Sequence, residues 1–84
     1  LLKLEPDNIV MTALKPSEDG TAIILRFYEA SGEETEANIT LFQKPAKAVI
    51  ANLIEDELEE LPFEGNSIKL NVKPFEIVTI KFVL

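Results

Sequence analysis

Eighty-four residues without a single cysteine bound the chain to one small domain held by apolar packing rather than by disulfides or thiolate-bound zinc. The balance of 15 acidic against 8 basic residues, a formal net charge of −7, repels phosphate backbones and anionic bilayers. Nucleic-acid and membrane-surface partners are excluded on that ground. No apolar run reaches the ~20 residues of a membrane span, while 46% hydrophobic residues are enough to build a core.

The chain opens on Leu1-Leu2-Lys3-Leu4-Glu5-Pro6, without an initiator Met or a signal-peptide pattern. The expectation is a fragment of a longer polypeptide in which residues 1–4 continue an earlier element. The first strand is expected over 9–14. Asp19-Gly20 turns the chain into a second strand over 21–29, which carries Ala22-Ile23-Ile24-Leu25-Arg26-Phe27-Tyr28. Ser31-Gly32 then leads to a third strand over 35–42, where Ala37, Ile39 and Leu41 share one face against Glu36, Asn38 and Thr40.

Residues 46–61 admit two structures. Ala46, Val49, Ile50, Leu53, Ile54, Leu58 and Leu61 recur at helical spacing among good helix formers. The alternative is two strands, 47–54 and 58–61, around an acidic turn, with Val49, Ala51 and Leu53 on one face. Segment 68–73 alternates cleanly, Ile68, Leu70 and Val72 against Lys69, Asn71 and Lys73. The last strand is expected over 75–84, with Pro74 at its entrance. Val78, Ile80 and Phe82 point inward there, and Ile77, Thr79 and Lys81 outward. Apolar segments of this length between closely spaced Pro and Gly marks are the pattern of a sandwich or barrel.

The chain holds no histidine, no cysteine and only three glycines. That inventory supplies no imidazole base, no thiol nucleophile and no Gly-rich phosphate loop. Ser17, Ser31 and Ser67 lack a histidine partner, so no catalytic and no metal-ligating residue is assigned. Glu55, Asp56, Glu57, Glu59, Glu60 and Glu64 form an acidic patch. Without EF-hand spacing it is better explained as a solvated turn than as a Ca²⁺ site. Arg26 lies on the face shared by Ile24 and Tyr28 and is expected to pair with an acid on a neighbouring strand, Glu76 being the candidate. Asn38-Ile39-Thr40 forms a glycosylation triplet of little weight. With five Phe, one Tyr and no Trp, Tyr28 is the one ring suited to stacking on a sugar, and it is expected to pack instead.

Four segments taken in order resemble the C-terminal β-sandwich of glycoside hydrolase family 38, the α-mannosidases. They are Asn8-Ile9-Val10-Met11-Thr12-Ala13-Leu14-Lys15 with Glu18-Asp19-Gly20; Ile24-Leu25-Arg26-Phe27-Tyr28-Glu29 with Gly32; Lys47-Ala48 through Ala51-Asn52-Leu53-Ile54-Glu55; and Pro74-Phe75-Glu76-Ile77-Val78-Thr79-Ile80. The resemblance implies that residues 1–84 are one C-terminal accessory domain of a larger, zinc-dependent, retaining α-mannosidase, cytoplasmic and prokaryotic. The zinc and the catalytic aspartate would belong to an upstream barrel domain. The resemblance also resolves 46–61 as strands.

The expected fold is an all-β antiparallel sandwich of about seven strands, immunoglobulin-like in general form. One inner face draws on Ile23, Leu25 and Phe27 with Ile39 and Leu41, and the opposing sheet on Ile68, Leu70, Val78, Ile80 and Phe82. The expected role is structural. Partners are the other domains of the same polypeptide, with carbohydrate met only through the parent enzyme. Ile24, Arg26 and Tyr28 are the candidate interdomain surface. The competing readings are a free-standing carbohydrate-binding or adhesion module and an edge-strand module that binds an extended peptide.

Overall fold

Alternating apolar residues between closely spaced turn residues produce eight strands, and no helix occurs among the residues described in the computed structural model, 2–52, 54 and 56–84. They are β1 (Lys3–Glu5), β2 (Ile9–Pro16), β3 (Ala22–Glu29), β4 (Thr35–Thr40), β5 (Lys47–Ala51), β6 (Glu57–Glu60), β7 (Ser67–Val72) and β8 (Ile77–Val83). Two antiparallel sheets result, one of three strands in the order β1-β4-β7 and one of five in the order β2-β3-β8-β5-β6. The sandwich expected from the sequence is the fold observed. The eighth strand is β1, which includes Lys3 and Leu4 of the segment expected to continue an earlier element and pairs with β4.

Both sheets turn their in-phase apolar residues to a shared core. Leu25, Phe27, Val78, Ile80, Phe82 and Ala48 come from the larger sheet, and Ala37, Ile39, Ile68 and Val72 from the smaller. Phe27, Phe82, Leu25, Ile39, Ile68 and Ile80 have no accessible surface. Burying each such side chain is worth about 1.5–3 kcal/mol, which is how a chain this short meets the entropy of ordering itself.

The partition between sheets differs from the expectation. β4 pairs with β7, Ile39 opposite Ile68, while β3 pairs with β8, Leu25 opposite Ile80. Ile39 therefore belongs to the layer of Ile68 and Leu70, and Val78, Ile80 and Phe82 to that of Leu25 and Phe27. The reason is that the turn at residues 30–34 carries the chain from one layer to the other. Local sequence specifies the reversal there but not the sheet that receives the next strand.

Within 46–61 the chain forms the two strands β5 and β6, with β5 between β8 and β6. Val49 and Ala51 do share a face, the outer one, and Ala48 and Ile50 face the core; Leu53 lies outside the described residues. β-Branched side chains packing against β8 outweigh the helical spacing, since propensity is a weak prior against tertiary contact. The last strand begins at Ile77, not at Phe75. Phe75 takes φ 58, outside the extended region, and Glu76 donates its N–H to Lys73 O at 3.0 Å. Pro74 and Phe75 thus form the β7–β8 turn.

Candidate functional site

Ile24, Arg26 and Tyr28 share the outer face of the five-stranded sheet, as their parity requires, but they are not equally available. Ile24 has no accessible surface. In register it lies between Lys15 of β2 and Lys81 of β8, and Lys81 is followed by Val49 of β5. The Lys81 side chain is only 12% exposed, with its ammonium 3.5 Å from Glu57 and 4.0 Å from Asp19. Glu57 also accepts from Lys47 at 2.9 Å. Long side chains laid flat with their charges at the rim seal this end of the outer face. Ile24 is therefore removed from the surface, while Arg26 and Tyr28 stay partly exposed. Arg26 does not pair with Glu76. Its Nε donates to Thr79 Oγ1 directly across the strand pair, at 3.2 Å, and Glu76 accepts from the Lys73 N–H at 2.8 Å.

The most heavily bonded group among the described residues is one that sequence reasoning did not single out. Glu29 closes β3 in phase with Ile23, Leu25 and Phe27, so its carboxylate enters the sandwich, and it has no accessible surface. Oε2 accepts from Asn8 Nδ2 (2.7 Å), Ser31 N (2.8 Å) and Ser31 Oγ (2.6 Å). Oε1 accepts from the N–H groups of Gly32 (2.7 Å), Glu33 (3.0 Å) and Phe75 (3.1 Å). Burial alone would raise the carboxyl pKa, but the donors from Ser31, Asn8 and Phe75 outweigh it and hold the group well below its ordinary 4.5. The useful signal in the sequence was a carboxylate in step with an inward apolar series.

This carboxylate ties the start of β2, the β3–β4 turn and the β7–β8 turn together. Its bond to Phe75 accompanies the left-handed backbone there, and the Phe75 ring lies over Gly32. A Cβ built on Gly32 would stand 2.8 Å from the ring's Cζ. Gly32 itself has φ 80. Glycine is required twice over, by backbone angle and by the close approach.

Three residues of the acidic patch, Glu57, Glu59 and Glu60, lie on β6, whose four residues are all exposed. Among the described residues no three His, Cys, Asp or Glu side chains converge as a metal site would require; Glu55 lies outside them. Charge on an edge strand also discourages pairing with another chain.

A groove of about 680 Å³ opens among β5, β6, the start of β8, and Leu70 and Asn71 of β7. Ile50, Leu61 and Leu70 form its floor at the margin of the core. Leu58 (63% exposed) and Ile77 (68%) stand at its mouth. Glu59 and Glu76 are also among its walls.

By architecture the chain is an antiparallel β-sandwich module whose buried carboxylate is fully occupied by protein donors. Residues 8–80 match the family described as the glycosyl hydrolases family 38 C-terminal beta sandwich domain, and the chain belongs to that family. It is 35% identical over 83 residues to alpha-mannosidase G of Dictyostelium discoideum, covering 92% of this chain and 7% of that protein. A putative mannosylglycerate hydrolase of Halalkalibacterium halodurans is 32% identical over 82 residues, 98% of this chain and 9% of that protein. Human alpha-mannosidase 2C1 is 27% identical over 81 residues, with 90% and 8% covered. The chain thus spans less than a tenth of the length of these relatives.

Proposed function

We propose that this domain is a non-catalytic packing unit of a larger glycoside hydrolase acting on α-mannosides. The observation that carries this is that the chain is a family 38 C-terminal sandwich whose relatives, two of them named alpha-mannosidases, are more than ten times its length. Chemistry, on this reading, belongs to other parts of the parent polypeptide, and carbohydrate is met there. A zinc ion of the parent and a retaining mechanism belong there too, because residues here do not fit the metal: the chain has no His or Cys, and its described carboxylates do not converge. The prokaryotic, cytoplasmic parent that the resemblance implies is part of the same proposal; the Halalkalibacterium relative supports its prokaryotic part. Relatives that carry the sandwich inside long chains favour this reading over a free-standing sugar-binding module.

The interdomain surface proposed is the outer face of β3 at Arg26 and Tyr28, without Ile24. In the full-length parent, Arg26→Ala combined with Tyr28→Ser should lower the melting temperature by roughly 3 °C or more. The same variant should keep kcat/KM within about twofold at temperatures well below melting. A fall in kcat/KM of about 100-fold at unchanged melting temperature would mean that the domain takes part in the chemistry.

A further inference from the structure

Three strands cover five. β1 of the small sheet lies against β2 of the large one, so the overhang falls at the opposite margin, on β5 and β6. The groove floored by Ile50, Leu61 and Leu70 lies on that margin, next to Leu70 and Asn71 of β7.

The main chain beside that space is open. Leu41 donates its N–H to Asn66 O at 2.8 Å, and bonding in an antiparallel pair alternates by residue. Ile68, Leu70 and Val72 therefore direct their main-chain groups to β4, while Ser67, Lys69, Asn71 and Lys73 direct theirs away from it. Ser67 is closed by a reciprocal pair with Glu64 (2.9 and 3.0 Å). Lys73 is closed by Glu76, through Oε1 at 2.8 Å and N–H at 3.0 Å. Between these closed ends, the N–H and C=O of Lys69 and Asn71 have no partner among the described residues. The other sheet edges carry familiar protection. β1 has three residues, β2 carries a bulge between Met11 and Ala13 and ends in Pro16, and β6 has three glutamates in four residues.

We propose that the β7 edge receives a ninth strand, an extended segment from another domain of the parent polypeptide, pairing with Lys69 and Asn71. Its alternate apolar side chains fill the groove over Ile50, Leu61 and Leu70. Glu59 and Glu76 on the groove walls select a segment flanked by Lys or Arg. A second copy of this chain would bring its own −7 charge against that acidic wall. The relatives' length supplies the alternative, with more than nine-tenths of each lying outside the matched region. The inference rests on the packing role proposed above but names a different surface.

Hydrogen exchange on the full-length parent, with the 67–73 peptide fragmented to single amides, tests it. The Lys69 and Asn71 amides should exchange at least ~100-fold more slowly than an unstructured chain. Leu58→Lys at the mouth of the groove, or Asn71→Pro on the edge, should abolish the added protection of Lys69. Leu70, bonded to β4, should stay protected and so report an intact sandwich. Free exchange at Lys69 and Asn71 beside a protected Leu70 overturns the proposal. Protection that follows protein concentration overturns it in favour of a second copy, and protection that appears only with added α-mannosyl oligosaccharide overturns it in favour of a sugar site. These variants leave Arg26 and Tyr28 untouched, so failure here and failure of the surface proposed above are separate results.

Discussion

Asp19 and Glu29 are both carboxylates that gather hydrogen bonds at a turn, and they differ in reach. Asp19 Oδ1 accepts from Ser17 Oγ (2.5 Å), Thr21 N (3.1 Å) and Thr21 Oγ1 (2.8 Å). Every one of those donors lies within two residues, and the side chain is largely exposed. Glu29 is wholly buried and takes donors from residues 8, 31, 32, 33 and 75. The Asp19 ring can close as soon as its own hairpin turn forms, since Asp and Ser side chains mimic backbone partners locally. The Glu29 ring closes only when the start of β2, the β3–β4 turn and the β7–β8 turn have all arrived. One organises a loop; the other holds separate parts of the sandwich in place.

The largest effect that sharpens this contrast is expected from Glu29→Gln. The two residues have the same shape, but Oε1 faces three N–H groups and Oε2 faces two N–H groups and the rotatable Ser31 hydroxyl, so either orientation of the amide sets its NH₂ against at least two N–H hydrogens. Thermal melting should fall by on the order of 10 °C. The acid limb of stability should change too. The folded Glu29 pKa lies below its ordinary value, so its contribution is complete above about 4.5 and is lost as pH falls below that. Asp19, held low first by Ser17, behaves the same way from 3.8 downward. Stability of the natural chain should therefore drop with acid between pH 4.5 and lower values, and Glu29→Gln should flatten that slope. An unchanged slope would show that the carboxylate charge is not what the six donors hold.

Gly32→Ala comes next. A left-handed alanine costs about 1–2 kcal/mol, and its Cβ would also displace the Phe75 ring. Phe75→Ala should relieve the second component and not the first, which a double-mutant cycle by denaturant unfolding would read as coupling between the two positions. Additive effects would place the ring elsewhere. Ser17→Ala is the smallest change. Ser17 Oγ donates to Asp19 and accepts from Ala22 N at 3.1 Å, while Thr21 still satisfies Asp19. A loss of about 1 kcal/mol is expected. If it equalled the loss at Glu29, local and long-range ties would weigh the same and the contrast would fail.

Much of the fold was legible before the structure. Strict alternation at Ala37, Ile39 and Leu41, and at Ile68, Leu70 and Val72, placed two strands and their buried faces, because a pleated strand sends every second side chain to one layer. Gly20 and Gly32 marked turns that need positive φ, which both have. The candidate surface was legible by parity alone. Arg26 and Tyr28 do face outward, but parity cannot show that Lys81 and its acidic neighbours close over Ile24, since that cover comes from β8 and from the β2–β3 turn. Glu29 was passed over because a lone glutamate at a strand end looks like any solvated charge until residues 8 and 75 are brought to it.

By itself, then, the sequence determined an all-β chain with no reaction chemistry to assign, the rough position of most strands, and which side chains turn inward. These follow from interactions between near neighbours: the pleat, the turn residues and the absence of His and Cys. Only the folded molecule fixed which strand pairs with which, that Phe75 belongs to a turn, and that a three-stranded layer leaves part of a five-stranded one uncovered. Those outcomes depend on contacts tens of residues apart, whose favourable energy appears only once the two layers have closed on each other.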